Sequence, residues 1–256
     1  MEKYLKPLLK NNHALFLAYD HGLEHGPKDL IGPSLDPNYI LQLTRENNLT
    51  GVILQGGVAE QYYFRSPFFQ KIPLILKING KTNLYQTENP YSPITWDITD
   101  AKRLGASAIG YTIYLGSAYE YKMFSDFNQA RAKAHQIGLA AIAWIYPRGK
   151  YITNDTSEEI TAYAARVGLE LGADMIKIKY SGSSEAFQKA VQVAGKTRVV
   201  LSGGPKTDEE EFLEIVKQVI KAGACGVAVG RNVWQADNPQ AMLKKIKEII
   251  WSSQTA

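Results

Sequence analysis

The feature that most constrains this chain is a series of eight short apolar runs, each closed by Gly, Asn, Asp or Pro. They are HALFLAYDHG, GVILQGG, PLILKING, ASAIGYTIYLG, GLAAIAWIYPRG, ADMIKIKYSG, TRVVLSGGP and GACGVAVGRN. Runs of this length bounded by turn residues suit strands buried on both faces. Between most of them lie stretches such as SAYEYKMFSDFNQARAKAHQIG, TSEEITAYAARVGLELG, SEAFQKAVQVAG, TDEEEFLEIVKQVIKAG and NPQAMLKKIKEII. Their apolar residues fall three and four apart, the period of an amphipathic helix. Strand then helix, repeated, implies a parallel sheet. Two helix starts read as capping boxes, Thr156 with Glu159 and Thr207 with Glu210. Residues 80–100, carrying Thr82, Asn83, Pro90 and Pro93, read mostly as an irregular connection after the third strand.

Two architectures accept eight such units. A doubly wound open sheet would ordinarily carry a nucleotide fingerprint, and neither G-x-G-x-x-G nor G-x-x-x-x-G-K-[ST] occurs. The expectation is therefore an α/β fold of the closed (β/α)8 type, a TIM barrel forming a single domain over residues 1–256. A barrel of this kind commonly takes roughly 250 residues and places its chemistry at the C-terminal ends of the strands.

Composition narrows the function. With 45% hydrophobic and 21% charged residues the chain is globular. Its 29 Lys and Arg against 25 Asp and Glu leave a net charge of +4, with the basic residues scattered along the chain. That favours a small anionic ligand and speaks against a nucleic-acid partner. The lone Cys225 rules out an intrachain disulfide and a Cys-built metal site, and a reducing cytoplasm is the expected location. No window reaches the roughly 20 apolar residues of a membrane span, so no membrane partner is expected. His13, His21, His25 and His135 are the only histidines, and no H-E-x-x-H occurs, so neither a metal nor another cofactor is expected.

Strand periodicity then selects candidate residues. In Met175-Ile176-Lys177-Ile178-Lys179 the period of two sends the isoleucines one way and both lysines the other, into the barrel. A buried ammonium is costly unless it is neutralised, paired or used. The chemistry that uses it is Schiff-base formation, in which a neutral amine attacks a ketone and the iminium draws electrons from the adjacent C–C bond. Lys177 is the candidate nucleophile, its pKa depressed by burial and by a cation such as Lys179 or Arg148. Lys179, nearer the mouth, also reads as a solvated surface lysine.

The same parity places Trp144, Tyr146 and Arg148 on one face beside that strand. Tyr146 is the candidate for proton transfer, its phenol acidified by adjacent cations. Trp144 reads equally as filling for the barrel's upper layer. Arg148 suits an anion. The seventh and eighth strands run into Ser202-Gly203-Gly204-Pro205 and Gly230-Arg231-Asn232. Glycines there let backbone N–H groups approach phosphate oxygens while Arg231 supplies charge, although each loop alone also reads as a tight turn. Strand one ends in Asp20-His21-Gly22-Leu23-Glu24-His25. Asp20 is placed to accept from a substrate hydroxyl or to assist dehydration, with a local turn as the alternative, and His25 is placed to contact a phosphate.

AYDHGLEHGP, LKINGKT, WIYPRG, GADMIKIKYSG, LSGGP and GVAVGRNVW, in that order, resemble the archaeal-type class I fructose-bisphosphate aldolase family over nearly the whole chain. The resemblance implies a homo-oligomeric (β/α)8 barrel that cleaves fructose 1,6-bisphosphate, reversibly and without metal, to dihydroxyacetone phosphate and glyceraldehyde 3-phosphate, in glycolysis and gluconeogenesis. It implies Lys177 as Schiff-base lysine, Tyr146 as proton-transfer residue, Asp20 as the acid of strand one and Trp144 as an active-site aromatic. Ser202, Gly203, Gly204, Gly230 and Arg231 match its phosphate loops, and His25 and Arg148 its distal phosphate positions. One departure is Ile178, where the family pattern has Thr or Ser, which bears on the shape of the distal pocket. Lys77 lacks a matching motif as imine former and reads as a ligand to a substrate oxygen. Two other readings accept the same residues: a related lysine aldolase or transaldolase such as 2-amino-3,7-dideoxy-D-threo-hept-6-ulosonate synthase, and a non-catalytic barrel that binds a phosphometabolite.

Overall fold

A computed structural model describes residues 2–252. Eight parallel strands close into a barrel in sequential order: β1 (Ala14–Tyr19), β2 (Gly51–Gln55), β3 (Leu74–Lys77), β4 (Ala106–Leu115), β5 (Ala140–Pro147), β6 (Met175–Ile178), β7 (Arg198–Ser202) and β8 (Gly226–Val229). All eight lie within the apolar runs read from the sequence. β8 pairs back onto β1 with Phe16 opposite Ala228, which completes the cylinder.

Alternation along each strand divides the core into two. Leu15 and Leu17 of β1, Ile176 and Ile178 of β6 and Val227 and Val229 of β8 face the surrounding helices. Phe16, Ile142, Trp144, Met175 and Val200 fill the cylinder. Leu5 and Leu8, from the helical turns that precede β1, join this inner core, and Leu8 approaches Gly51 at the start of β2. The chain's first apolar residues thus close the end opposite the mouth.

The helices Glu120–Gln136, Glu158–Glu170, Ser184–Val193, Glu209–Lys221 and Pro239–Ser252 follow the periodic stretches. Both N-caps fall one residue after the threonines expected to hold them. The cap of Glu158–Glu170 is Ser157, whose Oγ accepts from the Ile160 amide, and that of Glu209–Lys221 is Asp208, which accepts from the Glu210 and Glu211 amides. Thr156 instead donates to Asn154, and the Thr207 amide donates to Asn232. Asp and Ser cap at least as well as Thr, so the adjacent residue takes the role. Residues 80–97 form an irregular excursion pinned at its ends by the Gly80 amide on the Pro93 carbonyl and the Thr95 amide on the Ile78 carbonyl. The helix after it is short, Ile98–Arg103, capped by Asp97.

Candidate active site

Because all strands point the same way, their C-terminal ends share one mouth, and a cavity of about 560 Å³ opens there. Every residue that the sequence singled out for the site lines it: Asp20 and His25 from the β1 end, Trp144, Tyr146 and Arg148 from β5, Lys177 from β6, and Ser202, Gly203, Gly204, Gly230 and Arg231 from the last two loops. Lys77 and Lys179 line it too.

The floor is built around Trp144. Its ring needs a gap in β4, which Gly110 supplies, since a Cβ there would lie 2.0 Å from the indole. In register Trp144 is paired with Lys177 across β5 and β6. The Lys177 Nζ lies 5.2 Å from the indole centroid and that of Lys77 5.9 Å, so one aromatic ring faces both lysine nitrogens. Both lysines are only 5% exposed. Lys77 donates to the Asn79 carbonyl at 3.0 Å. Burial pulls its pKa down to about 8, with the nearby Lys177 charge in the same direction and Asp20 and Glu24 opposing. Ile178 is fully buried against the outer helices, so the departure at that position turns away from the pocket.

Tyr146 shares a hydrogen bond with Ser202 at 3.1 Å. Its pKa is raised, not lowered as the adjacent cations suggested, because burial outweighs the opposing pull of Lys177 and the Ser202 hydrogen bond. The phenol therefore keeps its proton at neutral pH. Asp20 does not act as a helix cap: the turn Gly22–His25 begins after His21, and no side chain caps it.

The β7 and β8 loops are tied by Asn232, whose Nδ2 donates to the Gly203 carbonyl at 2.7 Å and to the Pro205 carbonyl at 2.8 Å. Gly204 turns with φ +66, a backbone state that favours glycine. The Gly203 amide, expected to face an anion, is spent on the Ala228 carbonyl at 3.0 Å. Gly203 instead lets the loop pass close to β8, for a Cβ would come within 2.9 Å of the Val229 Cα. Arg231 is held by Asp29 at 2.9 Å, Lys179 pairs with Asp155, and Arg148 is held by Glu24 at 2.6 Å. Lys179 is therefore a paired group at the mouth, neither free in solvent nor deep in the cylinder.

Lys81, Glu24 and His21, which also line the cavity, and the buried Tyr114 beside them had no assigned place in the sequence reading. The Lys81 Nζ lies 6.0 Å and the Arg148 guanidinium 5.3 Å from the centroid of the Tyr114 ring. Lys81 sits inside LKINGKT, and Tyr114 falls two positions beyond Thr112 on β4, so motif and parity both pointed at them. Glu24 had only its place in the run that ends strand one. His21 stacks on Trp234 at 5.3 Å and has a buried Nε2 without a partner among the described residues.

A buried lysine beneath a mouth lined by Arg148, Lys179 and Arg231 suits imine chemistry on an anionic carbonyl compound. The model of the DeoC/LacD family aldolases matches residues 14–236, from the first strand to the last loop. The chain belongs to the DeoC/LacD aldolase family. This aldolase is 48% identical to the class 1 fructose-bisphosphate aldolase of Thermoproteus tenax over 98% of its own length and 94% of the relative's. Among solved structures it matches a Schiff-base-forming fructose-1,6-bisphosphate aldolase with a TM-score of 0.93 at 47% identity, covering 98% of this chain and 99% of that one. A second match is an archaeal fructose-1,6-bisphosphate aldolase whose catalytic Lys is covalently bound to a carbinolamine intermediate, with TM-score 0.92, 48% identity and coverage of 97% and 98%.

Proposed function

We propose that the protein is a class I fructose-1,6-bisphosphate aldolase in which Lys177 forms the Schiff base. The observation that carries this reading is the Lys177 amine, buried at the closed end of an otherwise cationic cavity and paired in register with Trp144. The covalent lysine and the bisphosphate substrate named for the aldolases at 47% and 48% identity support it.

The Lys177 Nζ attacks C2 of the open-chain ketose. Loss of water from the carbinolamine leaves an iminium, with a hydrogen bond from a substrate hydroxyl accepted by Asp20. When the C3–C4 bond breaks, its electron pair passes into the iminium and the C4 hydroxyl gives its proton to the Asp20 carboxylate, leaving glyceraldehyde 3-phosphate and an enamine. Tyr146, protonated at neutral pH, donates to C3, and water then releases dihydroxyacetone phosphate and the free amine. Trp144 packs beneath the reacting carbons. Arg231 with the 202–204 and 230–231 loops orients one phosphate, and His25 with Arg148 receives the other, so remote binding energy fixes the geometry at the reacting carbons.

On the same reading the enzyme is a cytoplasmic homo-oligomer of glycolysis and gluconeogenesis, and light scattering of the purified chain tests the assembly. Among the described residues no helix is long and apolar enough to cross a membrane. The activity is tested by incubating EDTA-treated protein with fructose 1,6-bisphosphate and measuring triose phosphates. Release of both products supports the proposal. Absence of cleavage, or an activity that only added metal restores, overturns it.

A further inference from the structure

Three cations at the mouth each carry a carboxylate partner: Arg231 with Asp29, Lys179 with Asp155 and Arg148 with Glu24. Neither Asp29 nor Asp155 lines the cavity. Among the described residues Glu24 alone of the three lines the cavity itself. It is also fixed from behind: its backbone carbonyl accepts from the Asn83 amide at 3.0 Å, which ties the β1 loop to the excursion after β3.

The surroundings of Glu24 have the make-up of an anion seat. Arg148 donates to its Oε1 at 2.6 Å. Lys81 and Arg148 both face the Tyr114 ring, and His25 adjoins Glu24 in the chain and lines the same wall. Burial favours the neutral acid, but the Arg148 charge and hydrogen bond, with help from His25 and Tyr114, hold the Glu24 carboxyl below its ordinary range. A phosphate reaching Arg148 must therefore meet an ionised carboxylate already in place.

We propose that Glu24 is a specificity-determining residue, a resident counter-ion that occupies the distal phosphate seat and yields it only to a ligand anchored elsewhere in the cavity. The proposal rests on the aldolase reading above, which supplies that anchored ligand. A bisphosphorylated ketose held by the imine and by the Arg231 end presents its second phosphate at high effective concentration and displaces the carboxylate. Free phosphate has no such advantage and is rejected by like charge. Repulsion by the Glu24 carboxylate thereby discriminates between the doubly anchored substrate and the small anions of its surroundings.

The test is titration calorimetry of the full chain with inorganic phosphate, comparing the unaltered protein with Glu24→Gln, Glu24→Ala, Arg148→Gln and the Glu24→Gln/Arg148→Gln pair. Removing one like charge from the seat is expected to tighten phosphate binding roughly tenfold in both Glu24 variants. The gain is expected to vanish when Arg148 is also replaced. In parallel, the ratio of kcat/KM for fructose 1,6-bisphosphate over fructose 1-phosphate is expected to rise in Glu24→Gln. Unchanged or weaker phosphate binding in the Glu24 variants, or a gain that persists without Arg148, overturns the proposal. The calorimetry reads phosphate affinity alone, so a chain that fails to cleave the bisphosphate sinks the aldolase reading while Glu24 is still judged by its own result.

Discussion

Gly110 lies so close to the ring of Trp144 that a Cβ on it would fall 2.0 Å from the indole Cη2. The ring is 2% exposed and forms the surface that both buried lysines face. Gly110→Ala must displace the indole or spread β4 from β5. Overpacking of this kind costs about 1–3 kcal/mol. Chemical denaturation is expected to show that loss together with a fall in kcat, because the indole cannot move without disturbing Lys177. A variant with unchanged stability and turnover would show that the close fit has no such consequence.

Lys77 gives the fold a pH dependence of known sign. Its folded pKa, lowered by burial to about 8, lies below the unfolded value. Between the two the unfolded chain binds more protons, so this group's contribution to stability rises with pH through that window and is lost as pH falls through 8. From pH 7 to 9.5 the gain is about 2 kcal/mol at 1.36 kcal/mol per unit. Lys77→Met is expected to abolish this rise in urea denaturation while raising stability at pH 7. Parallel pH profiles for the two proteins would contradict the assignment.

Tyr146→Phe removes the phenol proposed as proton donor and leaves the aromatic volume. A positioned acid contributes about 10²- to 10⁴-fold, and turnover is expected to fall within that range while imine formation persists. Because burial keeps the phenol protonated, the wild-type rate should hold through neutral pH and decline only where Tyr146 ionises, above the ordinary tyrosine range. Ser202→Ala takes away a hydrogen bond that opposes that rise, so the alkaline limb is expected to move further up. Proton exchange at C3 of dihydroxyacetone phosphate, followed by NMR, reads both effects. Normal exchange in Tyr146→Phe would remove Tyr146 from this role.

Much of this site was legible in the sequence because a barrel strand writes its direction into alternation. Lys177 between Ile176 and Ile178, and Tyr146 two positions after Trp144, face inward by parity alone, and strand order then brings β5 beside β6. Sign and partner were less visible. Tyr146 was expected to be acidified because cations are readable in sequence, whereas its burial, which decides the direction, depends on the whole cavity. The Gly203 amide is consumed by Ala228, a pairing that only the register of β7 and β8 reveals. Glu24 and Arg148 stand far apart in the chain, so their ion pair had no local signal. Caps slipped by one because Ser157 and Asp208 adjoin Thr156 and Thr207, and propensity does not separate neighbours of equal aptitude.

The bond proposed between Lys177 and the ketose carbon is read out by borohydride trapping. The protein is incubated with dihydroxyacetone phosphate, reduced, digested and mapped by mass spectrometry. The account predicts one reduced adduct, on Lys177, absent from Lys177→Ala and retained in Lys77→Met. An adduct confined to Lys77, or tight binding of the ketose with no adduct at all, would contradict it.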